Sequence, residues 1–94
     1  MTWFIIDTTY TDDRDLLQAT RPAHRDYLRA LVDRGVVVGA GPWGDDLGGM
    51  FIAAVADRAE LDAVLAADPY TTEGVVARQV VREWKPVLGR IAQP

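Results

Sequence analysis

The sequence predicts an α+β domain in which two helices cover one face of a four-stranded antiparallel sheet. Three observations support this prediction: four segments rich in β-branched and aromatic residues, two segments with helical spacing of apolar residues, and their order β-α-β-β-α-β. With 94 residues, the chain has the length of one domain with a small core. We expect a single domain over residues 1–94, with its core at about 3–86 and a short tail at 87–94.

The first strand is predicted at residues 3–10, where aromatic and β-branched side chains cluster. Residues 13–19 can form a helical turn, and Pro22 begins the first helix proper, because proline is tolerated in the first turn of a helix. The sequence leaves open whether these segments form one kinked helix or two. Gly35 ends the helix at the C′ position, where glycine is favoured.

The second and third strands are predicted at residues 36–40 and 50–56, and together they form a hairpin. The glycine-rich loop at residues 41–49 joins them. This loop is a poor phosphate site, because no lysine follows it and its two aspartates would repel an anion.

The second helix is predicted to begin after Asp57, which forms a capping box with the glutamate three residues later. It runs to about residue 67, is stopped by Pro69, and is followed by the fourth strand at residues 75–84. Right-handed crossovers then place the first and third strands at the centre of the sheet and both helices on one face. This arrangement is the ferredoxin-like sandwich.

The predicted strands are apolar on both faces, whereas two helices cover only one. In the first strand, Trp3 and Ile5 alternate with Phe4 and Ile6, so neither face is polar. Because soluble monomers rarely expose a large apolar patch, we expect a homodimer in which a second copy covers the open sheet face. The alternative is that the tail and loops bury this face.

The composition argues against several classes of function. The net charge of −4 disfavours nucleic acid as a partner, since nucleic acid binding needs a basic surface. One histidine and no cysteine argue against a structural zinc site. No apolar run approaches the roughly 20 residues of a membrane span, and the first residues lack the pattern of a signal peptide. We therefore expect a cytoplasmic protein with no membrane partner.

His24, the only histidine, lies on the core-facing stripe of the first helix. It precedes Leu28 by four residues and Leu31 by seven, and a helix that starts at Pro22 places it about one turn from the helix start. An inward imidazole needs a hydrogen-bond partner, because an unsatisfied buried polar group costs about 1–3 kcal/mol. A backbone carbonyl would satisfy the ring in a purely structural role.

Asp68 shares the inward stripe of the second helix with Leu61 and Val64. It also lies at a helix C-terminus, where the macrodipole disfavours a carboxylate by roughly 0.3–1 kcal/mol. Asp68 thus departs from two local preferences, as a charged side chain on a core-facing stripe and as a carboxylate at a helix C-terminus. Such a residue is often functional, although Asp-Pro is also a common turn. Because His24 and Asp68 are predicted at opposite ends of their helices, the sequence leaves open whether they meet.

If the two side chains meet, the carboxylate favours the protonated imidazole and selects its tautomer. Such a pair can perform general acid–base catalysis on a small organic substrate. No serine or cysteine nucleophile motif accompanies it, which disfavours acyl transfer. A metal site that adds Asp45 or Asp46 is unsupported, and we predict neither a metal nor a cofactor.

Three motifs follow one another along the chain: Arg21…His24-x-x-Tyr27-Leu28, then Gly39-Ala40-Gly41-Pro42, then Asp68-Pro69-Tyr70. Together they resemble the YCII-related family, which belongs to the ferredoxin-like dimeric α+β barrel superfamily. The resemblance covers the chain from about residue 3 to residue 84. It implies that His24 and Asp68 come together in a cleft as an acid/base pair.

The resemblance also implies roles for other residues. Arg21 would hold or orient an anionic group, or else be a solvated side chain at the helix start. Gly41, Pro42 and Trp43 would line the pocket wall, with Trp43 alternatively a dimer contact. Tyr70, in the third motif, would bind substrate.

Two functions follow from these expectations. The first is a small cofactor-free enzyme that uses His24 and Asp68 for lyase- or isomerase-type proton transfer on a small anionic or aromatic compound. One branch that resembles this sequence dehydrochlorinates chlorinated hydroxyquinols, and related barrels are isomerases and cofactor-free monooxygenases. The alternative is a non-catalytic dimeric module that binds a small ligand or a protein, in which the pair is structural.

Overall fold

Four strands form one antiparallel sheet in the computed structural model, which describes residues 1–92. The strands are β1 (Thr2–Tyr10), β2 (Val37–Pro42), β3 (Gly48–Val55) and β4 (Val76–Trp84). Their order in the sheet is β2-β3-β1-β4, so the predicted central position of the first and third strands is confirmed. The ferredoxin-like arrangement is therefore present. Of the predicted tail, residues 93 and 94 lie outside the described residues.

The first helix, α1 (Arg14–Asp33), is one continuous helix, and Pro22 lies inside it. The expected start at Pro22 is wrong, because Asp13 is the N-cap and its Oδ1 accepts a hydrogen bond from the Leu16 amide at 3.0 Å. An interior proline costs a helix about 3 kcal/mol. Packing offsets this cost: Leu17 is fully buried in a cluster with Tyr70 and Val75.

The C-terminus of α1 has the predicted glycine stop. Gly35 has a φ of +76°, a conformation that glycine adopts without steric penalty. The Gly35 amide donates to the Val32 carbonyl at 3.0 Å, and the Val36 amide donates to the Leu31 carbonyl at 2.9 Å. These two bonds form a Schellman motif, which turns the chain directly into β2.

The second helix, α2 (Arg58–Ala67), has the predicted cap at Asp57, whose Oδ1 accepts from the Glu60 amide at 2.9 Å. The Glu60 carboxylate accepts from the Ala56 amide at 2.7 Å, one residue before the cap. A single-turn helix, α3 (Pro69–Thr72), follows at once and was not expected. Among residues 1–92, no helix is long and apolar enough to cross a membrane.

The hairpin differs from the prediction because β2 extends to Pro42. Proline is tolerated there, since β2 is an edge strand and the residue ends it. Gly41 pairs with Met50 and Pro42 with Gly49, so the connecting turn is shortened to residues 43–47. The motif glycine and proline are therefore strand residues rather than loop residues.

The main core lies between one face of the sheet and the two long helices. On β1, Phe4 and Ile6 face this core, and on α1 Leu28 and Leu31 pack against it. The core consists of Phe4, Ile6, Leu28, Leu31, Val36, Val37, Phe51, Ala53, Val55, Leu61 and Leu65. Within residues 1–92 the opposite sheet face carries no helix, and the half-buried Ile5 and Ile52 pair across strands on it.

Candidate active site

His24 and Asp68 are in contact, with Nδ1 of the imidazole 2.7 Å from Oδ1 of the carboxylate. The expectation that His24 lies one turn from the helix start is wrong, because α1 begins at Arg14. This longer helix places His24 near the middle of α1, level with the junction of α2 and α3. Because the N-cap of α1 is Asp13, His24 is not at the start of its helix and lies beside Asp68.

Asp68 is buried, with 3% of its surface exposed, and it serves two helices. It is the C-cap of α2 and the N-cap of α3, where its Oδ1 accepts from the Tyr70 amide at 2.9 Å. The same oxygen contacts the His24 ring. The carboxylate is thus held by a backbone donor and an imidazole, and α3 supplies a favourable helix N-terminus beside it.

The Tyr70 ring packs on one face of the imidazole. It stacks on His24 with the centroids 3.6 Å apart and the planes within 2° of parallel. The Tyr70 hydroxyl accepts a hydrogen bond from Nε of Arg21 at 3.2 Å. Tyr10 meets Tyr70 edge to face, at a centroid distance of 5.4 Å. The position of the His24 ring is therefore fixed by a carboxylate at its edge and an aromatic ring on its face.

Arg21 is held by Asp46 in the turn between β2 and β3. Its Nη2 lies 2.8 Å from Oδ1 and its Nη1 3.3 Å from Oδ2, a two-point contact. Arg14 binds the same carboxylate at 2.7 Å. The hydrogen bonds to Asp46 and then Tyr70 raise the pKa of Arg21, and the bond from Arg21 holds the pKa of Asp46 below its usual 3.8. Arg21 thus carries its charge beside the site with two contacts already made.

A cavity of about 340 Å³ lies between α1 and the sheet, and both His24 and Asp68 line it. This volume is at the lower end of the range typical for small-molecule sites. Of the other predicted site residues, Arg21, Gly41, Pro42 and Tyr70 also line it. These side chains and backbone segments come from α1, α3 and the end of β2, so the predicted site is gathered in one place.

Trp43 does not line this cavity. Its indole Nε1 donates to Asp7 Oδ1 at 3.3 Å, and Asp7 lies on β1 between two helix-facing residues. Side chains alternate along a strand, so Asp7 and the Trp43 ring are on the open sheet face. Trp43 is 44% exposed, and of the two expectations for it only the dimer contact is compatible with this position.

Several cavity residues were missed by the sequence reasoning. The floor of the cavity is formed by Thr8 and Tyr10, which continue the helix-facing side of β1 with polar side chains. The Thr8 hydroxyl accepts a hydrogen bond from Gln79 at 3.0 Å. Burial raises the pKa of the Tyr10 hydroxyl. Arg25 lines the rim beside His24. The strand period would have identified Thr8 and Tyr10, because they continue the alternation of Phe4 and Ile6.

No three acidic or histidine side chains within residues 1–92 are grouped so as to hold a metal ion. Asp46, which was considered with His24 and Asp68, is bound to Arg14 and Arg21 instead. In the part of the chain that the structure describes, the second ring nitrogen of His24, Nε2, has no hydrogen-bond partner. The imidazole therefore has unused hydrogen-bonding capacity at Nε2, the ring nitrogen that does not contact Asp68.

A family model for the YCII-related domain matches residues 1–85. The chain belongs to the YCII-related domain family. This membership agrees with the three motifs and covers every strand of the sheet. A search of curated proteins finds no match to this YCII-related chain.

Two solved structures share the fold of this YCII-related domain. One is 5-chloro-2-hydroxyhydroquinone dehydrochlorinase (TftG) from Burkholderia phenoliruptrix AC1100 in complex with 2,5-dihydroxybenzoquinone, with 23% identity and a TM-score of 0.79. The alignment covers 97% of this chain and 99% of that one. The other is an antibiotic biosynthesis monooxygenase, with 16% identity, a TM-score of 0.60, and coverage of 94% and 100%. At these identities the likeness concerns the fold.

Proposed function

We propose that this YCII-related domain is a small cofactor-free enzyme that moves a proton on a planar, acidic organic compound. His24 is the general base and acid, and Asp68 orients it. The observation that carries the proposal is the contact of 2.7 Å between Nδ1 and Oδ1 at the wall of a cavity. Proton transfer of this kind needs a positioned base within reach of the substrate.

The contact supports a specific role for each ring nitrogen in this proposal. A carboxylate accepts hydrogen bonds, so Asp68 selects the imidazole tautomer with its proton on Nδ1. The lone pair is then on Nε2, on the opposite side of the ring. Nε2 takes a proton from the substrate, and the electron pair that the proton leaves behind enters the conjugated system of the substrate. Asp68 stays ionised and stabilises the imidazolium that forms.

The lining of the cavity favours a flat substrate that carries oxygen atoms. Gly41 and Pro42 present little side-chain bulk on one wall, and Tyr70 and Tyr10 supply aromatic surface. Arg21 and Arg25 bring positive charge to the rim. The solved relative TftG holds 2,5-dihydroxybenzoquinone, a compound of this shape and chemistry. We propose hydroxylated quinones and quinols as the substrate class.

Arg21 has two roles in this proposal. Its hydrogen bond to the Tyr70 hydroxyl orients the ring that stacks on His24. Its positive charge attracts an anionic substrate toward the rim of the cavity. Because Arg21 is already paired with Asp46, it has fewer hydrogen bonds left for the substrate itself. Arg25 makes no ion pair within residues 1–92, so it is the more available cation for a substrate oxygen.

Turnover of 5-chloro-2-hydroxyhydroquinone tests the proposal. In the expected reaction His24 moves one hydroxyl proton of the substrate to the ring carbon that bears chlorine, which gives a keto tautomer. Loss of a second hydroxyl proton then expels chloride from that carbon and leaves a hydroxyquinone, so that HCl is lost overall. We expect His24→Gln to slow chloride release by about 10²–10⁴-fold, the usual contribution of a general base. Asp68→Asn also lowers the rate, because it removes the negative charge that stabilises the imidazolium. The asparagine oxygen can still cap α3, so the fold is kept.

Asp62→Asn is the matched control for Asp68→Asn. Asp62 is an exposed carboxylate on α2 that pairs with Arg58, and neither residue lines the cavity, so its loss leaves the rate unchanged. Binding of 2,5-dihydroxybenzoquinone is measured in parallel. Unchanged chloride release in both His24→Gln and Asp68→Asn would overturn the acid/base assignment. Failure of the wild type to bind the quinone or release chloride would overturn the substrate class.

The assembly is also a proposal. Ile5, Ile52, Val80 and Trp43 lie on the open sheet face, and each is at least partly exposed. We propose that two copies pack these faces together, as expected from the sequence. A non-catalytic dimeric binding module shares this surface and the cavity. The His24 and Asp68 variants distinguish it from an enzyme, because only the enzyme has a rate to lose.

A further inference from the structure

Tyr10 lies at the end of β1, on the side of the sheet that faces α1 and the cavity. Its ring packs edge to face on Tyr70, the residue that stacks on His24. Its hydroxyl lies directly over Gly49 of β3, where a Cβ would be 2.7 Å from the hydroxyl oxygen. The absence of a side chain at Gly49 therefore makes the space that the Tyr10 hydroxyl occupies.

The Tyr10 hydroxyl has no hydrogen-bond partner among residues 1–92, although it is half-buried. This contrasts with the other two tyrosines. Tyr70 accepts from Arg21, and Tyr27 donates to the Val64 carbonyl at 2.8 Å. The Tyr10 hydroxyl is accessible and belongs to a residue that lines the cavity, so its hydrogen-bonding capacity is available to a molecule that enters.

We propose that the Tyr10 hydroxyl donates a hydrogen bond to a carbonyl or phenolate oxygen of the bound substrate, and is the second catalytic residue of the site. This inference rests on the proposed proton-transfer function. When Nε2 of His24 takes a proton, negative charge moves through the conjugated substrate onto an oxygen atom. A donor held at that oxygen stabilises the charge, in the way that an oxyanion hole does.

The surroundings of Tyr10 keep it a donor. Burial raises the pKa of Tyr10, and the Tyr70 hydroxyl and Asp46 act in the same direction, whereas Arg21 and Arg25 oppose them. The phenol therefore keeps its proton at neutral pH and can donate it in a hydrogen bond. No proton needs to leave Tyr10 in this step, because the proton removed from the substrate is held by His24 until it is returned or lost.

Tyr10→Phe tests the proposal, because it removes one oxygen atom and leaves the ring that packs on Tyr70. Tyr27→Phe is the matched control, since the Tyr27 hydroxyl is bonded to Val64 and does not line the cavity. The dissociation constant of 2,5-dihydroxybenzoquinone is measured by its visible absorbance for both variants. We expect Tyr10→Phe to weaken binding by about 10- to 100-fold, as for one lost hydrogen bond to a charged oxygen. Tyr27→Phe leaves binding unchanged.

Chloride release from 5-chloro-2-hydroxyhydroquinone gives the second readout. A donor that acts on developing charge lowers kcat when it is lost, so Tyr10→Phe lowers kcat and Tyr27→Phe does not. If the wild type binds and turns over while Tyr10→Phe matches it in both measurements, the Tyr10 inference is overturned and the His24 proposal stands. If His24→Gln is also as active as the wild type, the proposed function fails, and the Tyr10 inference fails with it.

Discussion

Asp68 binds His24 and caps the helix that carries Tyr70 through one carboxylate oxygen, with distances of 2.7 Å to the imidazole Nδ1 and 2.9 Å to the Tyr70 amide. The group that selects the tautomer of the imidazole therefore also positions the aromatic ring stacked on it. Oδ1 of Asp68 therefore both caps α3 and contacts the candidate base. Substitutions at Asp68 can separate the two roles.

Asp68→Ala and Asp68→Asn are expected to destabilise the fold by different amounts. Alanine removes both the helix cap and the charged partner of His24, and breaking a buried pair of this kind costs about 3–5 kcal/mol. Asparagine retains an oxygen that can cap α3, and a cap is worth about 1 kcal/mol. Urea unfolding should therefore give a free energy of unfolding about 1 kcal/mol lower for Asp68→Ala than for Asp68→Asn. Equal values would show that the cap contributes nothing.

The fold could be predicted from the sequence where local chemistry decided it. The C′ glycine at Gly35 and the cap at Asp57 are short-range signals, and both are present as expected. The start of α1 was misassigned, because Pro22 is a strong local signal for a helix start and the burial of Leu17 is a tertiary effect. The contact between His24 and Asp68 depended on that start, so the sequence left it open.

Two site residues show where the sequence could and could not place a side chain. Trp43 was assigned to the pocket wall with its neighbours Gly41 and Pro42, but it follows the last residue of β2, and its indole bonds to Asp7 on the open sheet face. Tyr10 was within the predicted first strand, and its face followed from the positions of Phe4 and Ile6. The cavity above it depends on the packing of α1, which the sequence does not specify.

Asp46→Asn should weaken stability in a pH-dependent way. The folded-state pKa of Asp46 is below its ordinary 3.8, chiefly because of the hydrogen bond from Arg21, so its ion pairs contribute at pH 7. That contribution is present above the unfolded-state pKa and is lost as the pH falls through the lower folded-state pKa. Urea midpoints of wild type and Asp46→Asn should therefore differ at pH 7 and converge as the pH falls below the ordinary 3.8, through the lower folded-state pKa of Asp46.

The control for this experiment is Asp62→Asn, which removes an exposed i,i+4 partner of Arg58 on α2. Its midpoint should stay close to that of the wild type, because exposed pairs contribute little. A difference between wild type and Asp46→Asn that stays constant as the pH falls from 7 to well below the ordinary 3.8 would contradict the ion-pair explanation.

Gly48→Ala should destabilise the sheet strongly. A Cβ at Gly48 would overlap the carbonyl oxygen of Thr8 on the neighbouring strand, so the backbone would have to move. Overpacking of this kind costs about 1–3 kcal/mol. Gly39→Ala on the edge strand is the matched control, since a Cβ there meets nothing within 4 Å. Thermal denaturation should show a lower Tm for Gly48→Ala alone, and equal Tm values would contradict the packing argument.

Ile52→Lys should convert the proposed dimer to monomers. Ile52 pairs with Ile5 at the centre of the open sheet face, and a charge there would have to be desolvated in a face-to-face dimer. Val32→Lys places the same charge on the exposed surface of α1 and should leave the assembly intact. Sedimentation equilibrium distinguishes the two variants. A wild type that sediments as a monomer at all concentrations would rule out the dimer.

The most direct test of the central claim is the ¹⁵N NMR spectrum of the single imidazole, recorded with and without 2,5-dihydroxybenzoquinone. His24 is the only histidine, so the resonances need no assignment. We predict that the neutral ring carries its proton on Nδ1, next to Asp68, and that the bare Nε2 resonance shifts when the quinone is added. A proton on Nε2 in the neutral ring, or an Nε2 resonance that does not respond to the quinone, would contradict the assignment of His24 as the base of this cavity.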